Sequence, residues 1–233
     1  MKNTLSIIIP ILNEAKCIGL LLNHLTQNYT EENISEIIVV DGGSCDDSQE
    51  IVNSYKKGNV FLLNSEKGRA KQMNFGAKNA KGSILYFLHA DSFPPKDFDQ
   101  YIISEVLKNN NAGCFKMKFE SNHWWLKLAG WLTRFSWRAC RGGDQSQFIT
   151  KSLFEQLGGF DERFIVYEDN DLINKLYSNK EFVVIPHCLT TSARRYNTNG
   201  IWKLQYHFWI IYIKKWFGAS ADELHQYYLK NIS

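Results

Sequence analysis

Up to Asp91 the chain alternates between short apolar runs and stretches with helical periodicity. The runs are Leu5–Ile9, Ile37–Val40, Val60–Leu63 and Ile84–Leu88. Each is closed by residues that turn or interrupt a strand: Pro10, then Asp41-Gly42-Gly43-Ser44, then Lys67-Gly68-Arg69, then His89-Ala90-Asp91 ahead of Pro94-Pro95. Between the first two runs Ile18, Leu21, Leu22 and Leu25 recur at helical spacing, which predicts a helix over 14–29. Ile51, Val52 and Tyr55 predict a second helix with Asp46 or Asp47 as its N-cap, and 70–80 predicts a third, ended by Lys81-Gly82. Strand–helix alternation of this kind builds right-handed βαβ units around a mainly parallel central sheet flanked by helices, an α/β fold.

The remainder of the chain reads differently. Phe115, Met117 and Phe119 alternate with Lys116 and Lys118, as in a half-exposed strand over 113–119. Helices are predicted over 123–138, 152–157 and 168–177, and a strand over 182–185. Neither internal repeats nor a linker divide the 233 residues. A single domain over 1–233 is expected, with a nucleotide-binding half to about residue 95 and an acceptor or catalytic half from about residue 96, ending in aromatic helices.

A net charge of +3 is too small to point to nucleic acid. Five scattered cysteines without close spacing suggest reduced thiols in a cytoplasmic protein. The first apolar run is cut by Pro10 and Asn13-Glu14, unlike a signal peptide, and no stretch approaches the roughly 20 apolar residues of a spanning helix. Seven Trp are more than a plain core requires. All seven fall in two Trp-rich segments with Lys or Arg, 123–138 and 201–217, the composition of interfacial helices. They fit either packing within the fold or peripheral contact with the inner face of a membrane.

Open α/β sheets bind ligands beyond the carboxyl ends of their strands. Asp41 and Asp91 both stand there, although an Asp after a strand also simply opens a turn. Lys67 and Arg69 start a helix, where cations and free N–H groups suit phosphate, or form a solvated basic turn. Glu168-Asp169-Asn170-Asp171 crowds three acids at a helix start. They serve the helix dipole, or one of them is a general base. Arg194 and Arg195 follow Thr191-Ser192 and suit phosphate oxygens or a solvated loop.

Taken together these segments resemble a family 2 glycosyltransferase with the GT-A-type nucleotide-diphospho-sugar transferase fold. The matching residues are Ile9-Pro10 with Asn13-Glu14, Val39-Val40-Asp41-Gly42-Gly43-Ser44 with Asp46, Lys67-Gly68-Arg69-Ala70, Met73-Asn74 with Gly76, and Leu88-His89-Ala90-Asp91. Gly143-Asp144-Gln145, Gly158-Gly159-Phe160, Glu168-Asp169 with Asp171, and Thr191-Ser192-Ala193-Arg194-Arg195 follow in order. The Ser-Ala-Arg-Arg motif and the ending Phe217-Gly218, Glu223-Leu224 and Tyr227 resemble the bacterial radical-SAM/selenodomain-associated subgroup.

The resemblance implies inverting transfer of a sugar from a nucleoside diphosphate donor, a UDP-sugar first, to an acceptor that is lipid-linked or a small molecule. It implies Asp169 as general base, with Glu168 the second candidate. Donor contacts would come from Pro10, Asn13, Glu14, Asp41, Gly43, Ser44, Lys67, Arg69, Asn74, Ala90, Asp144, Gln145, Arg194 and Arg195. Asp91, with His89, would hold Mn²⁺ or Mg²⁺. The family's metal motif usually carries Asp at both ends of its three residues, and here the first is His89. Imidazole suits Mn²⁺ better than Mg²⁺, which prefers oxygen. Two other readings are a sugar-phosphate nucleotidylyltransferase, though the glycine- and arginine-rich loop it needs after the first strand is missing, and an inactive nucleotide-sugar-binding protein.

Overall fold

The computed structural model of the chain describes residues 3–142 and 145–232. Its first half follows the expected alternation: β1 (Leu5–Ile11), α1 (Ala15–Asn28), β2 (Ile34–Asp41), α2 (Ser48–Ser54), β3 (Val60–Asn64), α3 (Arg69–Asn79) and β4 (Ile84–Phe87). There follow β5 (Ser92–Phe93), α4 (Phe98–Leu107), β6 (Ala112–Phe119), α5 (Trp124–Leu132), β7 (Gln147–Thr150), α6 (Lys151–Gln156) and α7 (Glu168–Ser178). The chain ends in β8 (Val183–Thr191), α8 (Arg194–Asn199), α9 (Ile201–Trp216) and α10 (Ala221–Asn231).

All the described strands join one sheet in the order β3-β2-β1-β4-β7-β6-β8-β5. From β3 to β4 it is parallel, with Ile7 opposite Ile37 on one side and Tyr86 on the other. Beyond β4 it is mixed: β7 runs antiparallel to both β4 and β6, β8 parallel to β6, and the short β5 antiparallel to β8. The mainly parallel sheet thus describes the first half better than the second.

The two-residue period of the strands separates two cores. Ile7, Ile9, Ile37, Val39 and Tyr86 pack with Leu21, Leu22 and Leu25 of α1, Val52 of α2 and Ile102 of α4. Ile8, Ile38, Val40, Leu85 and Phe87 pack with Met73 and Ala77 of α3 and with Phe154, Leu172 and Leu176 of α6 and α7. A smaller cluster joins Leu204 and Ile211 of α9 to Leu224 of α10. Among the described residues no helix is long and apolar enough to cross a membrane.

Two expectations need correction. The helix predicted over 123–138 stops at Leu132, because the following turn is gathered by the buried Arg141, which donates to the Thr133 and Phe135 carbonyls and to Cys114 Sγ. The strand predicted over 182–185 extends to Thr191 and so carries its loop to the site. Asp47, one of the two expected residues, is the N-cap of α2, although its side chain makes no capping hydrogen bond; Asp46 instead accepts from Ser48 N and the Ala15 N–H of α1.

Close approach of α3 to the sheet depends on Gly76. A Cβ there would stand 2.6 Å from Ile8 Cγ2 and 3.1 Å from Val40 Cγ2. Gly76→Ala gains about 1 kcal/mol of helix propensity, but overpacking costs about 1–3 kcal/mol. Thermal unfolding is expected to show a net loss of stability.

Candidate active site

The ends of β1 and β2 are bound together before any ligand is considered. Asp41 closes β2 and is only 1% exposed. Its carboxylate accepts hydrogen bonds from Gly43 N at 2.8 Å, Ser44 N at 2.9 Å and Gln49 Nε2 at 2.9 Å, and also from Ser44 Oγ. A carboxylate offers about four lone-pair sites, so Asp41 acts here as the post around which its loop is wound. Gly43, at φ +95° and exposed, takes a backbone conformation that favours glycine.

The first helix is capped from this same loop. Asn13, in the left-handed region at φ 58°, donates its N–H to Ser44 Oγ and accepts from Cys45 N through Oδ1. Glu14 N donates to Ser48 Oγ at 2.8 Å. Gln72 was not anticipated: it is buried, and its Nε2 donates to the carbonyls of Ile11 and Val40 at 2.8 and 2.7 Å, clamping the two strand ends.

Beyond β4 the fold assembles a charged corner from three distant segments. Asp91 is half-buried, and its carbonyl accepts from Ser192 N at 3.1 Å, which ties the end of β4 to the end of β8. Arg194 begins α8 there and grips Glu14 of the first loop through both terminal nitrogens, Nη2 lying 2.9 Å from Oε1 and 3.1 Å from Oε2. The Glu14 hydrogen bonds hold the Arg194 pKa above its usual value, and Asp91 adds to this through its field. Glu14, Asp91 and Arg194, each anticipated separately, therefore meet.

The acidic cluster lies at the N-terminus of α7. Glu168 is 1% exposed and Asp169 8%. Arg69 Nη1 of α3 lies 3.0 Å from Glu168 Oε1 and 3.6 Å from Asp169 Oδ2. Asp171 pairs instead with Lys175 at 3.0 Å. Tyr167, just before the cluster, has φ 80°, a strained conformation for an aromatic residue. A small cavity opens where this helix faces the sheet. It is lined by His89, Asp169, Met73, Phe87, Ser146 and Gln147, but not by Glu168. Gln147 is 5% exposed, and both its amide atoms lack a partner among the described residues. Nothing in its local sequence signals this, because the short strand β7 was not foreseen.

Several of the anticipated donor residues make contacts within the fold. Asn74 exchanges hydrogen bonds with the backbone of Phe160 and donates to Glu162 Oε1, anchoring the Gly158–Glu162 turn on α3. Gln145, 2% exposed, donates to the Cys140 carbonyl and accepts from Cys114 Sγ. Arg195 points to the C-terminal helices: it donates to Tyr228 Oη at 2.6 Å and stacks over the Phe208 and Tyr228 rings. Arg69 pairs with the acids at the start of α7. Lys67 is exposed beside α3, Pro10 lies within β1, and Ala90 is buried between His89 and Asp91. Asp144 lies outside the described residues.

Arg69→Met is expected to lower turnover by about 100-fold, the scale of a misplaced catalytic group, since it removes the cation that faces Glu168 and Asp169. It also removes an ion pair from a buried carboxylate, so the melting temperature should fall. Steady-state kinetics and thermal unfolding on one preparation check both.

Among the described residues no three His, Cys, Asp or Glu side chains gather as a ready-made metal site. Asp91 and His89 stand two residues apart beyond the end of β4. A cation held there would leave its remaining positions to substrate phosphate and water.

The sequence model of glycosyl transferase family 2 matches residues 6–161. The chain is 28% identical over 199 residues to the probable glycosyltransferase YdaM of Bacillus subtilis (strain 168), covering 74% of this chain and 46% of that one. It is 34% identical over 134 residues to a dolichyl N-acetyl-alpha-D-glucosaminyl phosphate 3-beta-D-2,3-diacetamido-2,3-dideoxy-beta-D-glucuronosyltransferase of Methanococcus voltae, covering 55% and 38%. The chain thus spans less than half the length of either relative. Among solved structures, Staphylococcus aureus TarS 1-349 in complex with UDP-GlcNAc has a TM-score of 0.68 at 21% identity, covering 81% of this chain and 58% of that one. Mannosyltransferase PcManGT of Pyrobaculum calidifontis, in complex with GDP-Man and Mn²⁺, has a TM-score of 0.70 at 18% identity, covering 98% and 70%. Both share the fold. The subgroup resemblance rests largely on residues beyond the matched 6–161.

Proposed function

The chain belongs to glycosyl transferase family 2, and from that we propose that it moves a sugar from a nucleoside diphosphate donor to an acceptor hydroxyl with inversion. One observation carries the reading furthest. Asp169 and His89, from segments far apart in sequence, line the same cavity at the end of β4, beside the strand-end carboxylate Asp91. A candidate general base and the residues of a candidate diphosphate anchor are thereby brought to one small cavity of about 10 Å³, which must widen to admit a sugar.

In this mechanism Asp169 takes the proton of the acceptor hydroxyl as its oxygen bonds to the anomeric carbon. The bond from that carbon to the diphosphate oxygen breaks, and the nucleoside diphosphate leaves with the electron pair. Arg69 holds the acidic pair at the helix start. Arg194, positioned by Glu14, faces the charge that grows on the leaving group. A divalent cation held by Asp91, with His89, would supply further neutralisation of that charge. The amide of Gln147, without a partner among the described residues, would offer hydrogen bonds to a sugar hydroxyl once that cavity widens.

The first half, to about residue 95, takes the nucleotide on the loop wound around Asp41, and the second takes the acceptor. A UDP-sugar is the preferred donor, supported by the UDP-GlcNAc complex of TarS, with GDP-Man as the alternative seen with PcManGT. A lipid-linked acceptor is supported by the dolichyl phosphate substrate in the name of the Methanococcus voltae relative. The test compares two products: nucleoside diphosphate released from a nucleotide sugar, and pyrophosphate released from a nucleoside triphosphate with sugar phosphate. Diphosphate release alone is expected. Pyrophosphate release would replace this reading with nucleotidylyl transfer.

A further inference from the structure

The helices α5 and α9 turn an unusual face to the outside. In α9 the exposed residues Trp202, Tyr206, Trp209, Ile213 and Trp216 recur at steps of four and three, which places them on one side of the helix. The opposite side carries Leu204 and Ile211, buried against α10. In α5, Trp124, Leu128 and Trp131 are exposed in the same rhythm while Leu126 and Gly130 are buried. Ring contacts make the two stripes one surface: Trp202 lies 5.8 Å from Trp124 and 5.4 Å from Trp125, and Trp209 lies 5.9 Å from Trp125. This is much more aromatic area than an isolated surface residue presents.

Charge identifies what this face is built to meet. Lys127, Arg134, Arg138, Lys203 and Lys214 are exposed along the two segments. Neither 121–142 nor 201–220 contains an Asp or Glu. Arg134 lies over the Trp131 ring at 4.5 Å, which keeps a cation at the edge of the aromatic patch. Trp and Tyr favour the headgroup level of a bilayer, and basic residues there gain about 1 kcal/mol each from anionic lipid. A second copy of the chain is the poorer fit, because a two-fold interface would set this basic surface against itself.

We propose that the α5–α9 face docks on an anionic lipid bilayer, with α9 lying in the plane of the headgroups. The same helix touches the one that carries Asp169: Tyr212 Oη donates to Asn170 Oδ1 at 3.4 Å, and its ring lies 5.6 Å from Tyr167. Docking therefore brings the acceptor side of the site to the membrane surface. That last link rests on the sugar-transfer reading above; the docking itself does not.

The test is flotation of the full chain, without donor, on vesicles of phosphatidylcholine alone or mixed with phosphatidylglycerol. Binding is expected to be at least about tenfold stronger to the anionic vesicles and to weaken as salt rises. Ile213→Ser with Trp216→Ser, and separately Lys127→Glu with Lys203→Glu, should each reduce it about tenfold or more, with melting temperature unchanged. Binding to neither vesicle, or equally to both, overturns the proposal. So does a wild-type dimer in sedimentation velocity that the Trp variant converts to monomer, since the face is then an interface between copies. Nucleotide-induced thermal shifts, measured separately, report on the sugar site whichever way the vesicle result falls.

Discussion

Asp169→Asn is expected to reduce sugar transfer by about 10³-fold, within the 10²–10⁴ that a positioned general base contributes, while donor affinity stays within a few-fold of wild type. The substitution keeps shape and removes the proton acceptor. Asp169 is selected over Glu168 by geometry. Both stand in the first turn of α7 and both face Arg69, but only Asp169 lines the cavity with His89. Glu168, at 1% exposure and 3.0 Å from the guanidinium, belongs to the support of the base. Glu168→Gln should consequently lower stability along with turnover, whereas Asp169→Asn should lower turnover alone. Kinetics with a defined donor and acceptor, paired with donor titration by calorimetry, separate the two. Transfer that survives Asp169→Asn removes the residue from the role of base.

Asp91→Ala is expected to abolish the dependence of donor binding on Mn²⁺. Losing an outer-shell partner typically costs 10–100-fold in metal affinity, so the loss of the sole carboxylate of the strand-end motif should cost about 100-fold or more. Metal-free nucleotide affinity should persist, because Arg194 remains held by Glu14. His89→Asp makes the complementary case. It restores a second carboxylate two residues before Asp91 and should tilt the site from Mn²⁺ toward Mg²⁺, in keeping with the preference of Mg²⁺ for oxygen. Titrating donor affinity against each metal reads both variants.

The first half of the fold was legible because its signals are local. Apolar runs such as Ile37–Val40 end in turn residues, and Leu21, Leu22 and Leu25 mark a helix by period alone. The second half is joined by pairings with no local signature. β7 is four residues long and begins with the polar Gln147, yet it sits between β4 and β6 and delivers that amide to the cavity. α4 lies behind Pro94-Pro95 and a left-handed Asp97, so its Phe98 and Ile102 look like part of a loop.

At the site, residue types were readable and destinations were not. Arg194 and Arg195 are neighbours with the same chemistry, and the start of α8 sends one to Glu14 and the other to Tyr228. Asp41 was legible as important, but the loop it winds from Gly43 and Ser44 is fixed to the fold by Gln49, whose bond exists only once α2 is in place. Arg69 reads as a phosphate ligand until α7, a hundred or so residues later, supplies Glu168. Long-range ion pairs of this kind are decided by the sheet order, which the local pattern leaves open.

The most direct test of a nucleotide-sugar site at the end of β4 is a thermal-shift screen of nucleoside diphosphates and their sugars, each with and without Mn²⁺. Stabilisation by one base above the others is expected, led by UDP and its sugars, deepened by Mn²⁺ in the wild type and insensitive to Mn²⁺ in Asp91→Ala. No shift with any nucleotide, or a metal-dependent shift that Asp91→Ala leaves intact, would contradict the site as drawn.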